Sequence, residues 1–262
     1  MSVVRTDKWL LDFYDKPIEI CEKLKVYFDD VQAAEIYDFL ILHGMYLPLE
    51  NGYEQVKELK KNKVWQIVAD EKKRLQKLWE GPTIPIFIFP SDVSNQKIVR
   101  DYNGKAGLAF RDKLFLFVSE GNEEMEIRSL FTHEYNHVCR LTKFNKKEKD
   151  YKLLDTVILE GLAENAVRER YSEESVASWT LYYSNEKLKR IWDNLVYPNR
   201  NMLKTDIRHQ DILFGLRYYP KMIGYCVGYY LVKEYMDANE LSSKELLDVP
   251  TDEIAQIKKT PD

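Results

Sequence analysis

The chain has 262 residues, 45% of them hydrophobic, so it is long enough and apolar enough to bury a sizeable core. It carries 39 Lys and Arg residues against 43 Asp and Glu residues, a net charge of -4, which leaves no basic excess for binding nucleic acid or an anionic membrane. Charged residues between Arg5 and Asp15 interrupt any signal-peptide core, and every apolar run falls short of the roughly 20 residues that a membrane helix needs. We therefore expect a soluble protein that neither binds nucleic acid nor inserts into a membrane.

The three cysteines, Cys21, Cys139 and Cys226, are widely spaced, and each lies in an apolar stretch. An odd number of cysteines in this arrangement favours reduced thiols in the core over a disulfide framework or a four-sulfur zinc site. Because reduced thiols are typical of the cytoplasm, the sequence predicts a cytoplasmic location.

The N-terminal part of the chain has the pattern of amphipathic helices. Residues 17–80 place apolar residues at three- and four-residue spacing among many Lys and Glu residues. This pattern predicts an N-terminal helical lobe over residues 1–82.

The pattern changes after this lobe. The stretch GPTIPIFIFPSD, bounded by Gly and Pro, predicts a strand, and KAGLAFRDKLFLFVSEG predicts a hairpin with its break at RDK. After Gly121 the helical spacing returns in EEMEIRSLFTHEYNHVCRLTK, LLDTVILEGLAENAVRERY and MIGYCVGYYLVKEYM, before a polar tail that ends in TPD. The sequence therefore predicts an α+β fold that is mostly helical, with a small mixed sheet over the helix that contains THEYNH and with a C-terminal helical lobe. No repeat or linker divides the chain, so we expect residues 83–262 to form one compact unit with the N-terminal lobe.

The segment FTHEYNHVCR, residues 131–140, carries two of the four histidines of the chain. A helix turns about 100° per residue, so His133 and His137 lie about 40° apart on one side and can converge on one metal ion. The alternative is a pair of ordinary helix histidines one turn apart. Glu134 favours the metal, because it lies in the middle of the apolar stripe of this helix, where an unpartnered carboxylate is costly. That stripe consists of Ile127, Leu130, Phe131, Val138 and Leu141.

A catalytic zinc normally takes three protein ligands and leaves its fourth position to water, so a third ligand is needed. The other histidines, His43 and His209, have no acidic or histidine partner at a useful spacing. A carboxylate is therefore the better candidate for the third ligand.

The apolar stretch LLDTVILEGLAENAV offers three carboxylates, Asp155, Glu160 and Glu164. Glu160 and Glu164 are four residues apart and share one helical face, and the chain after His137 is long enough to return past the metal in a second helix. We expect Glu160 to be the ligand, with Asp155 as the alternative. Glu164 is expected to accept the other N–H of a ligand imidazole and so fix its orientation.

Two arginines bear on these acids. Instead of binding metal, the acids could form buried salt bridges with Arg168 or a distant lysine. Arg140, close after His137, is expected either to pair with Asp155 or Glu164 or to lie on the surface.

The residues H-E-x-x-H at 133–137, taken with E-G-L-A-E at 160–164, resemble the gluzincin metalloproteases. In that class the third ligand is a glutamate on the helix after the active-site helix, followed four residues later by a second acid. More narrowly, HEYNHVCR, LLDTVILEGLAENAV and GYCVGYYLVKEY resemble the YjaZ-like bacterial family of predicted zinc-dependent proteases, over about residues 85–236.

The resemblance implies a zincin-like catalytic region over residues 83–262 with one zinc ion per chain. No G-A-M-E-N-type exopeptidase motif occurs, which favours an endopeptidase, and Leu159-Glu160-Gly161 stands where the thermolysin branch has Asn-Glu-Ala. The implied roles are metal ligation by His133, His137 and Glu160, general-base catalysis by Glu134, and a cleft wall formed by the helix of Gly224 and Tyr225.

The implied reaction is hydrolysis of a peptide bond. A zinc-bound water has a pKa of about 7, and Glu134 would take its proton and pass it to the leaving amine. The oxyanion needs a donor besides the metal. Tyr225 is the candidate donor, with Tyr229 and His209 as rivals, although the two tyrosines also suit an aromatic core stripe.

A peptide or protein is the expected substrate. An edge strand beside the active-site helix can bind an extended peptide by main-chain pairing, and the strand KLFLFVS is the candidate. Two other functions would keep the zinc site: a catalytically silent protein that binds peptides or regulates a partner, and a zinc amidohydrolase of small molecules.

Overall fold

A computed structural model describes residues 3–257 of the chain. These residues are mostly helical with one small three-stranded mixed sheet, which confirms the predicted α+β class. They form two compact units that meet at residues 138 and 139, inside the long helix α7 (Glu124–Lys143). The division predicted between residues 82 and 83 stays a prediction.

The first unit contains the predicted N-terminal helices. Four helices lie within residues 17–80, as expected, and a further helix over residues 6–13 lies inside the helical lobe predicted for residues 1–82. The sixth helix was not predicted, because its seven residues contain too few turns to show a clear apolar period. Its N-cap is Asn95, whose side chain accepts hydrogen bonds from the backbone N–H groups of Lys97 and Ile98. The helices are α1 (Thr6–Phe13), α2 (Pro17–Leu24), α3 (Ala33–Leu42), α4 (Gly52–Lys61), α5 (Val64–Trp79) and α6 (Gln96–Tyr102).

The sheet also belongs to the first unit. Its strands are β1 (Ile86–Pro90), β2 (Ala106–Ala109) and β3 (Leu114–Val118), in the order β1-β3-β2. β1 runs parallel to β3, and β2 forms an antiparallel hairpin with β3, so both the predicted strand and the predicted hairpin are confirmed.

The strand KLFLFVS was expected to be an edge strand, and this is wrong. It forms β3, which lies in the centre of the sheet, and all five of its residues are buried. A central strand whose side chains are buried on both faces of the sheet typically has a continuous apolar sequence. LFLFV has this pattern. The two outer strands of the sheet formed by the described residues are β1 and β2.

The second unit is built around two long helices, α8 (Leu153–Arg170) and α11 (Ile223–Asn239), which confirm the predicted helical segments and pack against each other. The stretch predicted as a polar tail contains two short helices, and its last residues, 258–262 with TPD, lie outside the described part. The other helices are α9 (Asn185–Ile191), α10 (Ile207–Phe214), α12 (Ser243–Leu246) and α13 (Thr251–Ile254), and short 3-10 or π turns cover Lys25–Tyr27, Glu148–Asp150, Ser178–Leu181 and Trp192–Val196.

The three cysteines are buried and free, as predicted. Burial raises the pKa of the Cys21 and Cys226 thiols to about 12, which keeps both protonated and unreactive. Among the described residues, no helix combines the length and the apolar character needed to cross a membrane.

Candidate metal centre

Helix α7 presents the two histidines of the H-E-x-x-H motif on one side. The imidazole rings of His133 and His137 have centroids 4.7 Å apart and are nearly perpendicular, with an angle of 87° between their planes. His137 is 7% exposed, and His133 is half-buried. The two rings therefore converge as the four-residue spacing predicts.

Glu160 of α8 completes a group of three metal-binding side chains. One nitrogen of each imidazole and one carboxylate oxygen of Glu160 all lie within 4.8 Å of one another. Two imidazole nitrogens with one carboxylate oxygen form a donor set that zinc accepts, and three protein ligands leave its fourth tetrahedral position open. These residues therefore fit a zinc ion.

Glu134 lies on the buried face of α7, as the apolar stripe predicts, and is 8% exposed. Its side chain lies directly against the backbone of Gly107 in β2: a β-carbon built on Gly107 would be 2.3 Å from the Glu134 Cγ atom. The carboxylate thus lies between its own helix and the outer strand β2.

Helix α7 is fixed within the first unit by aromatic stacking and a hydrogen bond. Tyr135 stacks between Trp79 and Phe131, with centroid distances of 6.1 and 5.4 Å, and its hydroxyl donates to the Pro82 carbonyl at 2.8 Å. These contacts hold Tyr135, the residue after Glu134, against α5 and against Pro82, which precedes β1.

A buried ion pair holds the first turns of the same helix. The Arg128 guanidinium donates to the fully buried Glu71 carboxylate at 2.7 Å and also pairs with Glu124 at 2.6 Å. Because a buried charge needs a close counter-charge, this pair restricts how α7 can sit against α5.

Two further acids of α8, Glu164 and Asp155, have partners of their own. Glu164 is 5% exposed, and its Oε1 atom accepts a hydrogen bond from the backbone N–H of Ala177 at 2.6 Å. Asp155, the alternative ligand, accepts from the backbone N–H of Lys152 at 2.8 Å and pairs with Lys146 at 2.5 Å. Asp155 thus caps the start of α8 and is not part of the three-residue group. The proposed contact of Glu164 with a ligand imidazole stays a prediction.

Arg140 does not pair with Asp155 or Glu164 and does not lie on the surface, so both expectations for it are wrong. It is 5% exposed, and its guanidinium donates to the carbonyls of Leu246 and Leu247 at 3.1 and 2.9 Å. These carbonyls lie at the end of the short helix α12. Burial lowers the pKa of Arg140 to about 10.

The three candidates for the oxyanion donor lie in different surroundings. Tyr225 is half-buried, and its ring contacts Trp179 and Phe214, with centroids 5.5 Å away in each case. The Tyr229 hydroxyl donates to Glu173 at 3.0 Å, and the His209 Nε2 atom lies 3.2 Å from the Thr156 hydroxyl.

These contacts engage the Tyr229 hydroxyl and one ring nitrogen of His209 with neighbours in the second unit. Burial raises the pKa of Tyr229 and lowers that of His209. Tyr225 remains the candidate donor, and its role stays a prediction.

Two residues that the structure shows in close contacts, Gly107 and Asn165, were assigned no role from the sequence. The close contact at Gly107 could have been predicted, because a glycine inside a strand pattern indicates a bulge or a close approach of another group. Asn165, fully buried in an otherwise apolar stretch, donates to the carbonyls of Gly161 and Tyr229 at 2.9 and 3.0 Å and so joins α8 to α11. Because Tyr229 lies 64 residues further along the chain, the link from Asn165 to α11 could not be predicted from the sequence.

Comparisons with known proteins show which family the chain resembles. The family model described as "Predicted Zn-dependent protease (DUF2268)" matches residues 64–256. The chain is 40% identical over 210 residues to "Uncharacterized protein YjaZ" of Bacillus subtilis (strain 168), covering 80% of each chain. It is 21% identical over 235 residues to "Uncharacterized protein YjfC" of the same organism, covering 83% of this chain and 76% of that protein. No solved structure gives a significant match. The chain therefore belongs to the DUF2268 family of predicted Zn-dependent proteases.

Proposed function

We propose that this protein is a zinc-dependent peptidase that holds one zinc ion per chain through His133, His137 and Glu160. The observation that carries the proposal is the approach of these three donor atoms to within 4.8 Å of one another. Glu134 follows His133 directly on the same helix. A zinc ion bound there supplies Lewis-acid activation of water and of the scissile carbonyl.

The residues of the chain supply the proton transfer. Glu134 takes the proton from the attacking water on its carboxylate and delivers it to the nitrogen of the leaving amine. Its burial against β2 restricts the positions that the carboxylate can occupy. The Tyr225 hydroxyl is the proposed donor to the oxyanion of the tetrahedral intermediate.

We propose an extended peptide as the substrate and internal cleavage as the outcome. β2 is an edge strand of the described sheet and contacts Glu134, so a peptide that pairs with β2 passes the general base. Main-chain pairing does not require a free chain end, which favours an endopeptidase. A zincin-like fold of the gluzincin type and a cytoplasmic location complete the proposal.

The test combines metal analysis with an unbiased cleavage assay. Zinc per chain is measured by inductively coupled plasma mass spectrometry, and a complex peptide mixture is then digested and sequenced by mass spectrometry. We expect one zinc per chain and cleavage at internal sites by the wild type, and zinc without cleavage for Glu134→Gln. Asp155→Asn, which changes an acid outside the group of three, serves as the matched control and retains both.

Three results would contradict the proposal in distinguishable ways. A wild-type chain that binds no zinc removes the metal site. Zinc binding without cleavage of any peptide favours a catalytically silent binding protein or an amidohydrolase of small molecules. Full cleavage by Glu134→Gln removes the assigned role of Glu134 while leaving the peptidase intact.

A further inference from the structure

Gly107 occupies a position in β2 where its own backbone conformation does not demand glycine. Gly44, Gly104 and Gly215 have φ values of +114°, +70° and +67°, which side chains adopt at a cost, whereas φ of Gly107 lies outside this left-handed range. An alanine could therefore adopt the same backbone. Glycine weakens a strand by roughly 0.5–1 kcal/mol relative to alanine, so its presence calls for another reason.

The reason is the side chain of Glu134. A β-carbon on Gly107 would lie 2.3 Å from Cγ, 2.4 Å from Cδ and 2.5 Å from Oε1 of Glu134, and these three atoms are its nearest neighbours. Such distances are well inside van der Waals contact, so Glu134 in its present position and a side chain at position 107 exclude each other.

The strand is held in place independently of this contact. Lys105, which immediately precedes β2, pairs with Glu126 of α7 at 2.5 Å, and the Asn103 side chain donates to the same carboxylate at 2.7 Å. β2 is also paired with β3 along its full length. When a side chain is introduced at position 107, the Glu134 side chain is the part that can rotate away.

We infer that Gly107 is a positioning residue for Glu134: the bare backbone of β2 leaves the space that the carboxylate needs to face the reacting atoms. The catalytic part of this inference rests on the proposed peptidase function, whereas the packing part does not. A displacement of a catalytic group by about 1 Å can lower a rate about 100-fold, so Gly107→Ala is expected to lower kcat by about that factor. KM and zinc affinity are expected to stay within about 3-fold, because the ligands His133, His137 and Glu160 are untouched.

The first measurement is a kinetic comparison of the full-length zinc-loaded chain with Gly107→Ala and Gly121→Ala. Gly121 is the matched control, because a β-carbon there meets no atom within 4 Å. Loss of kcat for Gly107→Ala alone, with its zinc content unchanged, supports the inference. Equal kcat for Gly107→Ala and the wild type would overturn it.

The second measurement does not depend on activity. The melting temperature of the zinc-free chain is measured for Gly107→Ala in the wild-type background and in a Glu134→Ala background, where the conflicting atoms are gone. We expect Gly107→Ala to lower the melting temperature in the first background and to leave it unchanged or raise it in the second.

The same shift in both backgrounds would overturn the packing relationship, even if the kinetics agreed. If the wild type cleaves no peptide but the two shifts differ, the proposed function fails while the placement of Glu134 by Gly107 stands.

Discussion

Gly161 of α8 and Gly228 of α11 pack so closely that neither position has room for a β-carbon. A β-carbon on Gly161 would lie 2.2 Å from the Gly228 carbonyl oxygen, and one on Gly228 would lie 2.0 Å from the Val157 carbonyl oxygen. Because Glu160 directly precedes Gly161, the packing of these two helices also fixes the helix that carries the proposed third ligand.

This contact predicts a large loss of stability when Gly228 is replaced by alanine. The conflicting atom is a backbone oxygen, which cannot rotate away, so α8 and α11 must separate. Overpacking costs about 1–3 kcal/mol, and we expect about 3 kcal/mol here. The measurement is urea denaturation of Gly228→Ala beside Gly121→Ala, and an unchanged midpoint for Gly228→Ala would show that the helices yield easily.

Asn165 predicts a second stability effect at the same helix pair. Its amide donates to the Gly161 and Tyr229 carbonyls, and its oxygen accepts from Arg168 at 3.0 Å. Asn165→Asp keeps the shape but removes both donors, so we expect a loss of about 2–3 kcal/mol in the free energy of unfolding at neutral pH. The exposed Asn239 also donates to a backbone carbonyl, and Asn239→Asp is expected to change stability by less than about 0.5 kcal/mol. Equal effects of the two variants would contradict this account.

Measured zinc affinities should show which of Glu160 and Asp155, the two candidates for the third ligand on α8, binds the metal. Glu160→Gln removes a charged ligand, so we expect the zinc affinity to fall at least about 100-fold, measured by competition with a chromophoric chelator. Asp155→Asn changes a helix cap, so we expect unchanged zinc affinity and a stability loss of about 1 kcal/mol. Reversed results would assign the ligand role to Asp155.

Arg140 is expected to contribute to stability through the carbonyls of Leu246 and Leu247. Arg140→Met keeps much of the apolar stem but leaves these acceptors without their charged donor, which should cost about 2–3 kcal/mol in thermal or chemical denaturation. Arg190→Met, at an exposed position, is the control and should be nearly neutral. A neutral Arg140→Met would mean that water replaces the guanidinium at the end of α12.

His209 predicts a loss of stability on acidification. Burial, reinforced by the positive charge of Lys204, lowers its pKa below the ordinary value of 6.5. The unfolded chain therefore takes up a proton near pH 6.5 that the folded chain resists, so stability falls as the pH drops below 6.5, by at most about 1.4 kcal/mol per pH unit.

His209→Gln removes this titration and isolates it from the histidines of the metal centre. The free energy of unfolding is measured from pH 5 to 7.5 with chelator present, and the wild-type curve is expected to be steeper than that of His209→Gln. Parallel curves would show that His209 titrates alike in the folded and unfolded chain.

The sequence by itself determined the local features of this protein. Periodicity predicted the long helices and the hairpin, and the spacing of His133 and His137 predicted their convergence, because helix geometry fixes which residues share a side. The position of Glu134 within an apolar stripe predicted its burial for the same reason. A local repeat suffices for such statements, since each depends on neighbours a few residues away in the chain.

Only the tertiary structure decided which distant residues meet. It placed β3 rather than β2 at the centre of the sheet, directed Arg140 to carbonyls more than 100 residues away, and set Gly107 against Glu134. Pairings of this kind depend on how whole elements pack in three dimensions. A contact made through a backbone carbonyl, or through the absent β-carbon of a glycine, cannot be recognised from the identity of the partner residue.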